Sequence, residues 1–112
     1  MIEKTIFDYL TATLSPVPVY MEQPQSKPGT YVVIEKTGSG RDNHINTATF
    51  AVQSYAPTMF GAAYLNESVK NAMDNAITLP DVAASNLNSD YNYTDTTTKQ
   101  YRYQAVYDLT HY

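Results

Sequence analysis

The chain has 112 residues, of which 43% are hydrophobic and 16% are charged. This is enough to bury one core and too little for two ordinary domains. A net charge of -4 disfavours nucleic-acid binding through basic residues, and the absence of cysteine excludes disulfides and thiolate metal sites. There is no basic segment followed by an apolar one at the start, and no run of about 18 apolar residues, so we expect a soluble intracellular protein.

The first predicted element is an amphipathic helix that ends before a proline. Its apolar residues recur every four positions, at Ile2, Ile6, Leu10 and Leu14. Pro16 ends it, because the position before a proline is pushed out of the helical region. Residues 17–21 then alternate as a short strand, and the prolines there indicate either the edge of a sheet or its first residues.

Two longer strands are predicted next, over residues 31–36 and 47–55. Val32 and Ile34 share one face of the first strand, and Phe50 and Val52 share one face of the second. We expect the two strands to pair antiparallel. The intervening residues 37–46 contain two glycines and small polar side chains, which predicts a long, mobile hairpin connection.

The main helix is predicted over residues 58–79, where small apolar residues recur at spacings of three and four. Asn66, Lys70 and Asp74 fall on the opposite side, and Lys70 and Asp74 are spaced for an i,i+4 ion pair. Pro80 ends the helix, and residues 81–86 are expected to be a connection.

A final hairpin turns near Thr97, which would place Tyr93 opposite Tyr101 and Tyr91 opposite Tyr103. The predicted fold is therefore α+β, in the order α-β-β-β-α-β-β. A single, mainly antiparallel sheet of four to five strands carries two helices on one face. We expect one domain over residues 1–112.

No motif predicts catalysis or a cofactor. Gly38, Ser39 and Gly40 follow a strand but lack the lysine and the helix of a phosphate loop. His44 and His111 are too isolated to bind zinc without further ligands. We therefore expect no catalytic, metal-binding or cofactor-binding residue.

Tyrosine is the one compositional excess, with eleven tyrosines, three phenylalanines and no tryptophan. Tyrosines suit interfaces that must also be soluble before assembly, because each offers a large apolar area with a polar tip. They also suit a half-buried sheet face, so a core role and an interface role both remain open for any single tyrosine.

Several strings follow one another in a characteristic order: Pro18-Val19-Tyr20 and Glu22-Gln23-Pro24, then Tyr31-Val32-Val33-Ile34, then Phe50-Ala51-Val52-Gln53-Ser54-Tyr55-Ala56 before the alanine-containing helix, and finally Tyr91-Asn92-Tyr93-Thr94-Asp95 and Arg102-Tyr103-Gln104-Ala105-Val106-Tyr107-Asp108-Leu109. In this succession, which runs nearly end to end, the chain resembles the small tail-terminator (tail-completion) proteins of siphophages and prophages.

The resemblance implies a non-enzymatic structural protein that forms a ring, typically a hexamer. Such a ring caps the growing tail tube, stops polymerisation of the tube protein and offers the surface on which the filled head docks. The implied partners are further copies of the chain, the tail tube protein and a head-completion or connector protein, with DNA passing through without specific binding and no membrane. The implied location is the head-tail junction of the virion, after assembly in the cytoplasm of the bacterial host.

Two sets of residues are predicted to make contacts in such a ring. The first is the hairpin tip, consisting of Gly38, Ser39, Gly40, Arg41, Asp42, Asn43 and His44. The second consists of Tyr91, Tyr93, Tyr101 and Tyr103 at a subunit interface.

Three alternatives remain open from the sequence. A head-closure or neck connector protein of the same virion shares the size, the organisation and the ring habit. A small-ligand-binding domain would enclose a pocket lined by tyrosines. A hydrolase would need Asp95 or Asp90 beside His111 as its acid/base pair.

Overall fold

The computed structural model describes all residues, 1–112, as two α-helices, a short 3-10 helix and five β-strands. The helices are α1 (Ile2–Thr13) and α2 (Met59–Asp74), with the 3-10 helix Asn75–Thr78 directly after α2. The strands are β1 (Val19–Tyr20), β2 (Tyr31–Asp42), β3 (Ile45–Tyr55), β4 (Val82–Asn92) and β5 (Arg102–His111). The predicted α+β class and order of elements are confirmed.

All five strands form one sheet, in the order β1-β2-β3-β5-β4. The short strand β1 is at one edge, as predicted, and pairs parallel with β2. Every other pairing is antiparallel, including the predicted pairing of β2 with β3. Strand β4 forms the second edge, so both edges of the sheet are unpaired along part of their length.

The hydrophobic core lies between the two helices and one face of the sheet. Alternation along β2 and β3 directs Val32, Ile34, Phe50 and Val52 into this core, as predicted. Strand β5 adds Tyr107, which is fully buried. The opposite face of the sheet has no helix over it, and we call it the open face.

Helix α1 buries the predicted stripe, because Ile2, Ile6 and Leu10 are all in the core. It is also tied to α2 by a hydrogen bond in which the Tyr9 hydroxyl donates to the carbonyl oxygen of Ala72 at 2.7 Å. No helix of the protein is long and apolar enough to span a bilayer.

Helix α2 begins where the Thr58 hydroxyl accepts a hydrogen bond from the amide of Gly61, at 3.0 Å, and so caps the first turn. The prediction for its polar side was wrong. Asn66 is buried, and Lys70 pairs with Glu67 and Asp90 at 3.0 and 2.9 Å instead of with Asp74. The prediction fails because periodicity describes only the spacing of residues along one helix. Strand β4 places Asp90 against the face of α2 that was expected to be in water.

The segment 37–46 is not the predicted mobile connection. Strand β2 continues to Asp42 and β3 begins at Ile45, so only Asn43 and His44 form the turn. Their φ angles are 48° and 66°, the left-handed region of a tight two-residue hairpin turn. The small polar residues remain in strands here because β5 pairs with β3 as far as Asn46.

The predicted connection over residues 81–86 was also wrong, because β4 already begins at Val82. Two irregularities interrupt its pairing with β5, between Val82 and Ala84 and between Leu87 and Ser89. Each inserts an extra residue, so the polar and apolar positions of β4 lose the period of two by which a strand is recognised.

The polar contacts between α2 and β4 around buried Asn66 predict a stability effect. The side-chain amide of Asn66 donates to Asp90 Oδ2 at 3.1 Å, and the ammonium of Lys70 contacts the same oxygen. The substitution Asp90→Ala should lower the free energy of unfolding by about 1–3 kcal/mol, because it leaves the amide of Asn66 buried without its acceptor. Urea unfolding measures this change. The matched control is Asp81→Ala, at an exposed carboxylate, and equal losses in the two variants would contradict the expectation.

The hydroxyl of buried Tyr107 predicts an alkaline instability. It donates to Asp74 Oδ1 at 2.7 Å, and burial together with this hydrogen bond raises the pKa of Tyr107 above its ordinary value of 10.0. The folded state therefore holds this proton more tightly than the unfolded state, and stability is lost as the pH rises above about 10. Melting temperatures between pH 8 and 11 should fall less steeply for Tyr107→Phe than for the wild type. The exposed Tyr112→Phe should behave as the wild type does, and a Tyr107→Phe profile of unchanged slope would sink the idea.

Candidate functional site

The open face carries a cluster of tyrosine, glutamine and arginine side chains toward the end of the sheet where β1 lies. Alternation along four strands brings them together: Tyr31 from β2, Gln53 and Tyr55 from β3, Arg102 and Gln104 from β5, and Tyr91 from β4, with Tyr93 directly after β4. Gln23, from the loop between β1 and β2, reaches over the same cluster. We call this set the tyrosine-glutamine cluster.

A pair of stacked tyrosines forms the base of the cluster. The rings of Tyr31 and Tyr55 lie 4.5 Å apart with 5° between their planes, and Tyr20 packs its edge against Tyr31 at 6.1 Å. Both stacked residues are buried, although no helix lies over them. Burial raises the pKa of the Tyr31 hydroxyl, which therefore remains protonated and able to donate a hydrogen bond.

The hydrogen bonds of the cluster form one chain with a single direction. Each member donates to the next: Tyr31 to Gln23 at 3.1 Å, Gln23 to Tyr55 at 2.6 Å, Tyr55 to Gln53 at 3.0 Å, Gln53 to Gln104 at 2.9 Å, and Gln104 to Tyr91. Every amide group in the chain uses one donor and one acceptor, so the orientation of each side chain is determined by its neighbours. The hydrogen-bond chain ends at the hydroxyl of Tyr91, which still has its own proton to donate, and the Tyr91 residue is 42% exposed.

Arg102 holds the end of the cluster nearest the final turn. Its Nε donates to the carbonyl oxygen of Tyr93 at 2.7 Å, and its Nη1 donates to the hydroxyl of Tyr55 at 3.0 Å. The guanidinium carbon lies 4.3 Å from the centre of the Tyr93 ring, within the range of a cation-π interaction. Arg102 therefore holds the Tyr93 ring at the surface and also donates a hydrogen bond to the hydroxyl of the buried Tyr55.

The four tyrosines predicted to stack in two cross-strand pairs do not do so. Tyr91 lies opposite Gln104, and the amide of Tyr93 donates to the carbonyl oxygen of Arg102. Tyr91 and Tyr93 contact each other edge to face, with centroids 5.9 Å apart. The true register is shifted by one residue from the predicted one, and a one-residue shift places partners on opposite faces.

Tyr101 and Tyr103 therefore do not lie with Tyr91 and Tyr93 on one surface, as was predicted. Tyr103 alternates with Ala105 and Tyr107 onto the side of the sheet that carries the helices, where it is half-buried. Tyr101 lies before β5 and lines a cleft with Tyr31 and Tyr55. The structure thus brings together only Tyr91 and Tyr93 of the four.

The predicted hairpin tip lies far from this cluster. Gly38, Ser39, Gly40, Arg41, Asp42, Asn43 and His44 are all exposed, at the opposite end of the sheet. Arg41 and Asp42 are the last residues of β2, so they stand on an ordered ribbon. The tip and the tyrosine-glutamine cluster are therefore two separate surfaces.

Two exposed aromatic residues were missed from the sequence. Phe60 and Tyr64, in the first turns of α2, are 81% and 69% exposed and stack at 6.5 Å. The available signal was their i,i+4 spacing on the side of the helix away from its apolar stripe. No sequence pattern predicts the role of the cluster glutamines or of Arg102, because that role depends on neighbours from other strands.

A cleft of about 400 Å³ opens beside the stacked tyrosines. Its lining includes Tyr31, Tyr55 and Tyr101, and also Lys27 and Lys99. The adjoining turn is ordered by Asp95, which accepts hydrogen bonds from the amides of Thr97 and Thr98, and these bonds lower the pKa of its carboxyl group.

The titratable residues do not form a catalytic arrangement of the kind weighed from the sequence. Asp90 lies opposite Ala105 in β5, whereas His111 is six residues further along that strand, about 20 Å away in extended backbone. Asp95 bridges to Gln100, which is further still from His111. No group of three or more histidine, aspartate or glutamate side chains is placed to hold a metal ion.

Comparison with known proteins does not assign the chain to a family. No protein-family model matches it, and a search of curated proteins finds no match.

The contacts of Arg102 predict that lysine cannot replace it. The substitution Arg102→Lys should lower the free energy of unfolding by about 1–3 kcal/mol, because an ammonium group cannot reach both hydrogen-bond partners and stack on Tyr93. Urea unfolding checks the loss. The exposed Arg41→Lys serves as control and should cost less than about 0.5 kcal/mol. Equal stability of Arg102→Lys and the wild type would contradict the proposed role of the guanidinium.

Proposed function

We propose that the protein is a tail-terminator subunit of a siphophage or prophage, a structural protein that closes into a ring on the end of the tail tube. The ring would stop tube polymerisation and present the surface to which the head binds. The observation that carries the proposal is the open face, where an ordered, tyrosine-rich surface has no helix of its own chain to cover it. The resemblance in the order of sequence strings supplies the particular function.

The tyrosine-glutamine cluster has the properties of a contact surface that is ordered before binding. Its side chains are held by the directed hydrogen-bond chain, so a partner would not have to immobilise them. Tyrosine and arginine are also among the side chains that are enriched at interface centres. Tyr91 and Tyr93, each more than two-fifths exposed, are the members available to a partner.

The remaining exposed groups fit a protein with several partners. The hairpin tip is a second polar surface, and Phe60 and Tyr64 form a third, aromatic one. A terminator requires separate contacts with its own copies, with the tail tube protein and with a head-completion or connector protein. The hairpin tip lies at the opposite end of the sheet from the other two surfaces, so it can be used at the same time as either of them.

The charge of the chain is compatible with DNA passing through such a ring. Six copies would carry about -24, because each copy carries -4. An acidic lining repels phosphate groups, whereas a basic lining would hold them. A head-closure or neck connector protein of the same virion would satisfy the same arguments, and remains the nearest alternative.

A small-ligand-binding domain is a second candidate, favoured by the cleft beside Tyr31, Tyr55 and Tyr101. Its lining carries two lysines and the carboxylate of Asp95 beside the tyrosines, which suits a small polar ligand. This candidate requires no assembly and predicts a protein that stays monomeric or dimeric at every concentration.

The first experiment is the mass of the purified chain in solution over a wide concentration range, by light scattering, with negative-stain images. The proposal predicts a closed ring of about six subunits, formed alone or on isolated tail tubes. A chain that stays monomeric in both conditions would overturn it and favour the ligand-binding candidate.

A double variant tests the hairpin tip. Arg41→Ala with Asp42→Ala should leave the melting temperature unchanged, because both side chains are exposed, and should raise the concentration needed for ring formation at least about tenfold. The matched control is Lys4→Ala with Asp8→Ala, which removes one cation and one anion from an exposed pair on α1. Assembly of both double variants at the wild-type concentration would exclude the tip from the interface.

A further inference from the structure

The two edges of the sheet leave long stretches of backbone without a partner. Strand β1 pairs only with Val32 and Val33, so the outer edge of β2 is unpaired from Ile34 to Asp42. Strand β4 pairs with β5 on one side only, so its outer edge has no strand partner, and only its first residue, Val82, donates its amide elsewhere, to the carbonyl oxygen of Leu79 at 3.1 Å. We call these stretches the β2 edge and the β4 edge.

The two unpaired edges lie at the same height in the sheet. The registers connect them level by level, because each β2 residue can be followed through its partners in β3 and β5 to a residue of β4. The matched residues are Ile34 with Asp90, Glu35 with Ser89, Lys36 with Leu87, Gly38 with Asn86, Ser39 with Ser85, Gly40 with Ala84, and Arg41 with Val82. Strands β2 and β4 run in opposite directions.

The direction of the backbone groups on each edge follows from two observed hydrogen bonds. The amide of Val32 donates outward to Pro18 in the chain before β1, so by alternation the amides of Ile34 and Lys36 also point outward. The amide of Tyr93 donates inward to Arg102, so that of Asp90 points outward. Beyond the irregularities, the direction of each amide follows from its partners in β3 and β5. By the same alternation, the outward-pointing amides there are those of Ser39, Arg41, Ser85 and Leu87.

The β4 edge has little of the side-chain protection typical of solvent-exposed edges. Strand β4 contains no lysine, arginine or proline, and its one charged residue, Asp90, is paired with Lys70. Its irregularity between Leu87 and Ser89 and the β2 irregularity between Lys36 and Gly38 lie on either side of the level that Leu87 and Lys36 share, so the two edges bend at neighbouring levels.

We propose that the β4 edge of one copy pairs antiparallel with the β2 edge of the next copy, so that the sheet continues from subunit to subunit. The inference rests on the proposed ring and specifies the contact that closes it. A head-to-tail contact uses both edges of every copy, whereas a two-fold contact of an edge with itself would leave the other edge unpaired. When the two edges pair with their levels matched, no like charges lie opposite each other. Lys36 of one copy faces Leu87 of the next, Glu35 faces Ser89, and Arg41 faces Val82.

Engineered cysteines test this pairing, because the chain has no cysteine of its own. Ser39→Cys and Ser85→Cys, introduced in one chain, would lie opposite each other between neighbouring copies. Mild oxidation with diamide should then give a ladder of covalent oligomers on a non-reducing gel. Ser39→Cys combined with Leu87→Cys probes a pairing displaced by two residues.

The single variants Ser39→Cys and Ser85→Cys are the controls, and neither alone should form more than trace dimer. A strong dimer from one single variant would show an edge paired with itself and would overturn the proposal. A ring seen by light scattering without a ladder from either pair would leave the proposed function standing and overturn the edge pairing. A ladder that never closes into a ring would support the edge pairing and count against the tail-terminator function.

A proline at an outward-pointing position supplies an independent readout. Leu87→Pro should abolish the assembly, because it removes an amide that the neighbouring copy needs, whereas Leu87→Thr retains this amide and should assemble. Circular dichroism of both variants checks that each remains folded. Assembly of a folded Leu87→Pro protein at the wild-type concentration would overturn the proposal.

Discussion

The fold depends on one constraint, which is that two helices cover only one face of a five-stranded sheet. The covered face holds the apolar residues of β2, β3 and β5 and provides the main core. The other face must satisfy its own polar groups and shield its own backbone with side chains alone. Long side chains that combine an apolar body with a polar tip are suited to this task, and the open face uses Tyr31, Tyr55 and Tyr91 in this way.

The tyrosine-glutamine cluster shows how this is achieved. The stacked rings of Tyr31 and Tyr55 are buried without a covering helix because Gln23 and Arg102 bind their hydroxyl groups from above. The hydrogen bonds continue in the same donor-to-acceptor direction through Gln53 and Gln104 to Tyr91 in the edge strand β4. One hydrogen-bond network therefore both stabilises the open face and holds Tyr91 at its margin.

Much of the fold could be predicted from the sequence, and the errors have physical causes. The stripe of α1, the core faces of β2 and β3 and the order of elements follow from periodicity, which local residues alone determine. The polar residues around Gly38 have the composition of a loop, and only their pairing with β3, which β5 supports on its other side, makes them a strand. Asn66 was placed in solvent because its acceptor, Asp90, comes from a strand that the sequence pattern does not show. Of the candidate site, the sequence predicts Tyr91 and Tyr93 as interface tyrosines, but in cross-strand pairs that the true register does not make. Their glutamine and arginine neighbours depend on that register and cannot be predicted from local pattern.

The extra residue between Leu87 and Ser89 has a consequence for how this surface could change in evolution. Leu87 and Ser89 lie opposite consecutive residues of β5, Tyr107 and Val106, so the irregularity absorbs Asn88 without changing the face of any later position. Loss of Asn88 would therefore restore regular pairing and leave Tyr91 on the open face. The strand thus contains a position at which its length can change by one codon while the displayed tyrosine stays where it is.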